Sequence, residues 1–233
     1  MTESAPITVF DWFANQFTPE QRAEEIGPHI APLVKPGDRV LDLGCAAGVI
    51  AFYLEDRGAE VTGVDISPTL VARALELARA RRSRATFVQG DILTTPLKNG
   101  AYDLAICLGN VILEFPHPTL ASFRDRVHKA LKPDGRLALE YKDGVLRFLD
   151  MREPAFVVEQ GVEGLVERHF QGYDPERGAF TTSYHNTVTG ETQKVWSYLH
   201  TGPMLRAVME PRFTFERGVR LEKYSFLDLY RRR

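Results

Sequence analysis

From residue 39 to residue 142 the chain alternates short apolar or β-branched runs with longer stretches of helical spacing. The runs are Arg39 to Leu43, Glu60 to Val64, Ala85 to Val88, Tyr102 to Cys107 and Arg136 to Tyr141. Between them, Pro68 to Arg82 places Leu70, Val71, Ala74, Leu75 and Ala78 on one face. Thr119 to Leu131 does the same with Leu120, Phe123, Val127 and Leu131. Strand and helix in alternation predict a parallel sheet with right-handed crossovers. In LKPDGR, residues 131 to 136, Pro133 and Gly135 cannot prolong a helix, so one helix ends there and turns into the fifth strand.

Phe10 to Phe17 and Pro19 to Val34 have the spacing of two amphipathic helices, with Trp12, Phe13 and Phe17 the bulky members of the first. Residues 1–37 are thus expected to cap one end of the sheet. After Lys142 the texture changes. GYDPERGAF and NTVTGETQ are turn signals between runs rich in Thr, Tyr, Phe, Val and Trp, which predicts an antiparallel meander from about Leu165 to Leu199. Residues 160–200 are read as an insertion over the carboxyl edge of the sheet. A helix at Pro203 to Met209 and strands at Thr214 to Leu221 and Ser225 to Tyr230 complete an α/β, doubly wound, mostly parallel seven-stranded sheet. One domain over residues 1–233 is expected.

Composition narrows the function. Lys and Arg number 29 against 31 Asp and Glu, a net charge of −2, so no overall basic field recruits nucleic acid or an anionic membrane. No apolar run approaches the roughly 20 residues of a membrane span. The two cysteines, Cys45 and Cys107, lie in apolar segments and cannot make a disulfide framework, which points to a reducing, cytoplasmic setting. MTESAPITVF has neither the basic nor the apolar region of a secretory signal. The six histidines show no close pairing with acidic neighbours, so no metal is expected. Arg231 to Arg233 read as a solvated tail.

The sharpest local feature is VLDLGCAAG at residues 40–48. A strand carries Asp42, then Gly44, Ala46 and Gly48 alternate, then a helix begins near Val49. Small residues let the backbone turn tightly and approach a ligand, and a helix N-terminus offers unpaired amides. Alone, such a loop is only a tight turn. GVDIS, however, ends the second strand in Asp65, placed to accept two ribose hydroxyls, and QGDIL puts Asp91 on the same edge. A carboxylate at Asp91 can accept an adenine amino proton while Ile66 and Ile92 sandwich the ring. A nicotinamide-dependent oxidoreductase would carry Gly-x-Gly-x-x-Gly, which this loop is not.

With these residues the chain resembles the class I S-adenosylmethionine-dependent methyltransferases, over about Trp12 to Tyr141, and the resemblance implies a Rossmann-like fold. It implies S-adenosyl-L-methionine as cofactor and S-adenosyl-L-homocysteine as product. Asp42 and Gly44 would line the methionine end, with Ala46 and Gly48 completing the loop. Asp65 would hold the ribose, Asp91 with Ile92 the adenine, and Arg39 the cofactor carboxylate. Leu108, leaving the fourth strand, would face the cofactor. A non-catalytic S-adenosylmethionine-binding regulatory protein is the first alternative, and a nicotinamide-dependent oxidoreductase, despite the departure of the loop from its motif, the second.

The exit of the fourth strand reads Leu108-Gly109-Asn110, without the Asn/Asp-Pro-Pro-aromatic tetrapeptide of many macromolecule-methylating enzymes, which favours a small-molecule acceptor, an amine nitrogen above all. ICLGN, ALEYK and WSYLH resemble the glycine and sarcosine N-methyltransferase branch. That likeness implies an acceptor held by Asn110 and Lys142, with Trp12 and Tyr198 as pocket walls. Asn110, Tyr198 and His200 are the candidate catalytic residues, and Glu114, His117 and Tyr184 further polar partners. Two departures stand out: lysine replaces the arginine of that branch at residue 142, and Glu24 replaces an aromatic residue. Phe180, Trp196 and Tyr198 could close an apolar lid.

Overall fold

Strands buried on both faces read as nearly continuous apolar runs, and the first half of the chain has this texture because it forms the centre of one sheet. The structure, a computed structural model, describes residues 7–12, 19–150, 156–161 and 164–233. Helices α1 (Ile7–Trp12) and α2 (Pro19–Ile30) precede β1 (Arg39–Leu43), α3 (Val49–Glu55), β2 (Glu60–Asp65), α4 (Pro68–Arg81), β3 (Thr86–Gln89) and β4 (Tyr102–Cys107). A 3-10 turn at Val111–Glu114 leads to α5 (Leu120–Ala130), β5 (Leu131–Lys142) and α6 (Gly144–Asp150). Then come β6 (Phe156–Gln160), β7 (Leu165–Asp174), β8 (Ala179–Asn186), β9 (Thr192–Tyr198), α7 (Gly202–Met209), β10 (Phe213–Arg220) and β11 (Ser225–Arg232). Phe13 and Phe17, assigned above to the first helix, lie outside the described residues.

Seven strands form the main sheet in the order β10-β11-β5-β4-β1-β2-β3. The first five in sequence run parallel, and β11 is antiparallel to both its neighbours. Alternation along each strand feeds two cores. Leu41, Leu43, Ala105, Cys107, Leu137 and Leu139 pack with Phe123, Val127, Leu205 and Met209 of α5 and α7. Val40, Val61, Leu104, Ile106 and Ala138 pack with Ile26, Ile30, Phe52, Leu54, Val71 and Ala74 of α2, α3 and α4. The order reverses between β1 and β4, so the edge above that switch point, at the carboxyl ends of the strands, is where ligands bind such sheets. No helix among the described residues is long and apolar enough to cross a membrane.

The meander is a separate antiparallel sheet, β6-β7-β8-β9, and β9 packs on the 3-10 turn after β4. Two elements have no counterpart in the sequence reading. β6 adds a strand before Leu165, and α6 follows β5 directly. The LKPDGR segment also differs. Leu131 already pairs with Tyr102, and the register shifts before Arg136 meets Leu104, so the turn is an irregularity within β5 rather than a break between elements. Asp134, with φ of 61°, makes the reversal.

Candidate cofactor and acceptor site

The loop after β1 is shaped by positive backbone angles. Gly44 and Gly48 each have φ of 81°, and Ala46 takes 46°. A Cβ on Gly44 would lie 2.4 Å from Val111 Cγ2, and one on Gly48 2.7 Å from Phe87 Cζ, so strain and space both demand glycine. The amide of Gly44 donates to the Val64 carbonyl of β2 at 2.8 Å. The amide of Ala46 donates to Asp65 Oδ2, also at 2.8 Å, which steadies the one non-glycine left-handed residue of the loop.

Parallel register brings the acidic residues to one edge. Asp42 lies opposite Gly63 and Ile106, Asp65 opposite Gln89, and the amide of Gly90 donates to the Asp65 carbonyl. Asp42 is 3% exposed, and among the described residues none donates a hydrogen bond to its carboxylate. Burial pushes its pKa up to about 7, the charge of Asp65 adds to this, and Arg22 opposes it. Asp65 is also raised, chiefly by burial, although the amides of Ser67 and Ala46 donate to it. Each carboxylate oxygen has a second lone pair to offer. Ser67 caps α4 by accepting from the Leu70 amide, and its hydroxyl donates to Asp11 at 2.7 Å, which fastens α1 beside the ribose position. Asp91 Oδ1 accepts from the Leu93 amide at 2.7 Å, and Ile66 is half-buried beside it on the strand edge.

Across the switch point the chain leaves β4 through two successive left-handed residues, Gly109 (69°) and Asn110 (64°). The Gly109 amide donates to Glu140 Oε2 at 2.8 Å. Glu140, 2% exposed, also takes the guanidinium of Arg22 from α2, and Arg22 in turn holds Glu25 at 2.8 Å. This buried pair clips the N-terminal helices to the exit of β4. Three polar atoms in and beside this exit are buried with no hydrogen-bond partner among the described residues: Asn110 Oδ1, Glu114 Oε2 and His200 Nδ1. Burial pushes the Glu114 carboxyl up to about 8, with Arg147 opposing.

The geometry corrects several expected roles. Arg39 begins β1 at the amino edge, four residues or roughly 13 Å of strand from Leu43. Its side chain lies over the Tyr102 ring and 3.9 Å from Glu60, so it does not serve the cofactor edge. Ile92 is 7% exposed with its side chain in the core and its carbonyl accepting from Arg126, which leaves it no free face for adenine. His200 is fully buried, and its Nε2 bonds the carbonyls of Ile112 and Phe115 at 3.0 and 3.2 Å. Burial, then His117, pulls its pKa down to about 4, so it is a neutral imidazole that shapes the exit turn rather than a proton carrier.

The remaining predicted residues fall in place around the two halves. Leu108 is buried in the core below the loop. Tyr198 is 8% exposed at the foot of the meander, 6.0 Å from His117 between ring centroids. Lys142 is half-buried at the carboxyl end of β5, its Nζ 5.6 Å above the Tyr224 ring. Trp12 is half-buried at the end of α1. Arg22, Glu140, Arg147 and Arg168 were not anticipated. Only Glu140, a charge inside an apolar strand, carries a signal that could have drawn attention to it.

Residues 40–135 match the methyltransferase domain family. A methyltransferase of Synechocystis is 38% identical over 106 residues, 46% of this chain and 48% of the relative. The ribosomal protein L11 methyltransferase of Thermus thermophilus is 37% identical over 110 residues, 47% of this chain and 41% of the relative. The chain thus spans about half the length of the curated relatives it matches. The crystal structure of an S-adenosylmethionine-dependent methyltransferase from Clostridium acetobutylicum superposes with a TM-score of 0.75 at 12% identity, over 96% of each chain. Loop, acidic strand ends and strand order agree with these likenesses: residues 40–135 carry a methyltransferase domain, and the fold is that of the S-adenosylmethionine-dependent methyltransferases.

Proposed function

We propose that the protein transfers the methyl group of S-adenosylmethionine to a small-molecule acceptor, at an amine nitrogen. The observation that carries this reading is the Asp42 carboxylate, buried beside Asp65 with no donor among the described residues. A buried carboxylate in that state is stabilised by a cationic ligand. The cofactor's methionine end carries an ammonium, and its sulfonium supplies an electrophilic methyl group. Gly44 and Gly48 keep the loop open to the cofactor, Asp65 accepts from the ribose hydroxyls, and Asp91 and Ile66 meet the adenine.

The chain's own contribution to the transfer is alignment and exclusion of water. Asn110, held in a left-handed turn at the end of β4, orients the acceptor with its unpartnered carbonyl oxygen. Glu114, raised to about 8, lies in the working range of a general base and receives the proton that an ammonium acceptor must lose. The meander covers this half of the edge. Lys142 and Tyr198 form its polar wall.

Incubation with methyl-labelled S-adenosylmethionine and a panel of small amines and amino acids is expected to label a small molecule. Label appearing only in a ribosomal-protein fraction would replace the small-molecule reading with a macromolecular one, the substrate type in the name of the Thermus relative. Tight S-adenosylhomocysteine binding with no transfer to any fraction would favour the regulatory alternative.

A further inference from the structure

Between β3 and β4 the chain runs from Gly90 to Ala101 without a strand or helix, and Asp91 stands at the start of this segment. The turn that carries it is closed on itself. The amides of Thr94 and Thr95 donate to the Asp91 carbonyl at 3.0 and 2.8 Å, and that of Leu93 to Asp91 Oδ1. Local closure fixes the shape of the turn but not its tilt relative to the sheet edge, which depends on what holds it from outside. Two anchors do so. On the β2 side the Gly90 amide donates to the Asp65 carbonyl at 2.8 Å. On the α5 side Arg126 Nε donates to the Ile92 carbonyl at 2.9 Å, and Nη2 of the same guanidinium to the Thr95 carbonyl. Arg126 forms no ion pair among the described residues, whereas Arg124, on the same helix, is paired with Asp125 at 2.9 Å. The Arg126 guanidinium is given to the turn. Its planar fork grips two separate carbonyls, so it fixes the direction of the turn as well as its distance from α5.

Resting on the methyl-transfer reading, we propose that Arg126 is a positioning residue for recognition of the cofactor's base: with the turn held by this fork, the Asp91 carboxylate is aimed at the exocyclic amino group of adenine, and the site prefers adenine over a 6-oxo purine. Asp91 Oδ2 accepts no hydrogen bond from the described residues, which leaves that oxygen to the amino group. A hydrogen bond weakens steeply as its distance and angle depart from the optimum, so a carboxylate on a loosely held turn reads the base poorly. A 6-oxo purine turns a carbonyl oxygen toward the same carboxylate. Two acceptors then face each other, one of them charged, and neither is satisfied. Arg126 touches no part of the ligand in this arrangement. It acts through the Ile92 and Thr95 carbonyls.

The test is calorimetric titration with S-adenosylhomocysteine and with S-inosylhomocysteine, its 6-oxo counterpart. The wild type is expected to prefer the adenine ligand by about tenfold or more, the worth of a hydrogen bond to a charged group. Asp91→Ala should abolish the preference, and Arg126→Met should reduce it to about threefold or less. Arg126→Lys, which keeps donors for the two carbonyls, should retain more of it than Arg126→Met. A merely structural role gives a different pattern: a lower melting temperature, with both ligands weakened in proportion and their ratio unchanged. The wild-type ratio in Arg126→Met overturns the proposal, as does a wild type that binds both ligands equally or an Asp91→Ala variant that still prefers adenine. Should Arg126→Met fail to fold, Arg126→Gln, with one donor group left, carries the same test of the ratio. Failure of the wild type to bind S-adenosylhomocysteine overturns the methyl-transfer reading instead.

Discussion

Along the carboxyl edge of the sheet, the half facing the β1 loop is lined by carboxylates, and the half under the meander by cations. Asp42, Asp65 and Asp91 belong to consecutive strand ends brought together by simple parallel register. Lys142, Arg147 and Arg168 come from β5 of the main sheet, helix α6 and β7 of the meander. On the proposed reading, the contrast separates a cofactor half marked by carboxylates on neighbouring strands from an acceptor half assembled from distant segments. The acidic half suits a cofactor bearing an ammonium and a sulfonium. Arg22 and Glu140 lie between them and bind the N-terminal helices to both.

Breaking that junction should have the largest effect. Arg22→Met leaves Glu140 buried without its cation, and urea denaturation is expected to show a loss of about 3–5 kcal/mol. The double variant Arg22→Met, Glu140→Leu should recover most of it. A single variant as stable as the wild type would mean that the two halves are not coupled through this pair.

The acidic half can be sharpened by pH. Asp42 has a folded pKa of about 7, above its ordinary unfolded value of about 4. Between those values the folded state keeps a proton that the unfolded state has released, so stability falls as pH rises through the window and stays reduced above it. Asp42→Asn should therefore stabilise the ligand-free protein by up to about 4 kcal/mol at pH 8 and by almost nothing at pH 4. The same variant should bind S-adenosylhomocysteine less well. A pH-independent difference between the two melting curves would show that Asp42 is not held in the raised state.

Asp65→Ala should weaken S-adenosylhomocysteine by about 1.5–3 kcal/mol, because a charged acceptor of two hydroxyls is lost along with the anchor of Ala46. Unchanged affinity by calorimetry would remove Asp65 from the ribose site. The smallest effects belong to the acceptor half. Asn110→Gly keeps the left-handed backbone and deletes the carboxamide, so kcat should fall about tenfold with the melting temperature nearly constant. Lys142→Met should raise the acceptor KM about tenfold and leave cofactor affinity in place. Equal effects of both changes on cofactor affinity would erase the division into two halves.

The acidic half was legible because its information is local. A strand buried on both faces is an apolar run, its end is marked by Asp65 or by the glycine loop, and register does the rest. Arg39 shows the limit of that reading, since adjacency to a strand in sequence says nothing about which edge the residue occupies. Arg22 and Glu140 lie 118 residues apart, and no spacing rule connects them. The meander was visible from its turns, but β6 and α6 were not. α6 has Val145, Leu146, Phe148 and Leu149 all exposed, so it lacks the one-sided pattern that marks a helix packed on a core. His200 looked like a proton carrier because histidine titrates near neutrality. Full burial against two carbonyls removes that property, and only the folded structure reveals it.

The placement of β11 between β5 and β10 has a consequence for synthesis. Strand β5 reaches from Leu131 to Lys142, yet its outer neighbour begins only at Ser225. During translation the ribosome must make residues 143–224 before β5 can be paired on that side, so five parallel strands wait with a bare hydrogen-bonding edge. Such edges recruit other chains, and contacts of long sequence separation form slowly. A chain stopped after α7 would keep the loop of β1 and every acidic strand end, and would still be expected to aggregate through β5.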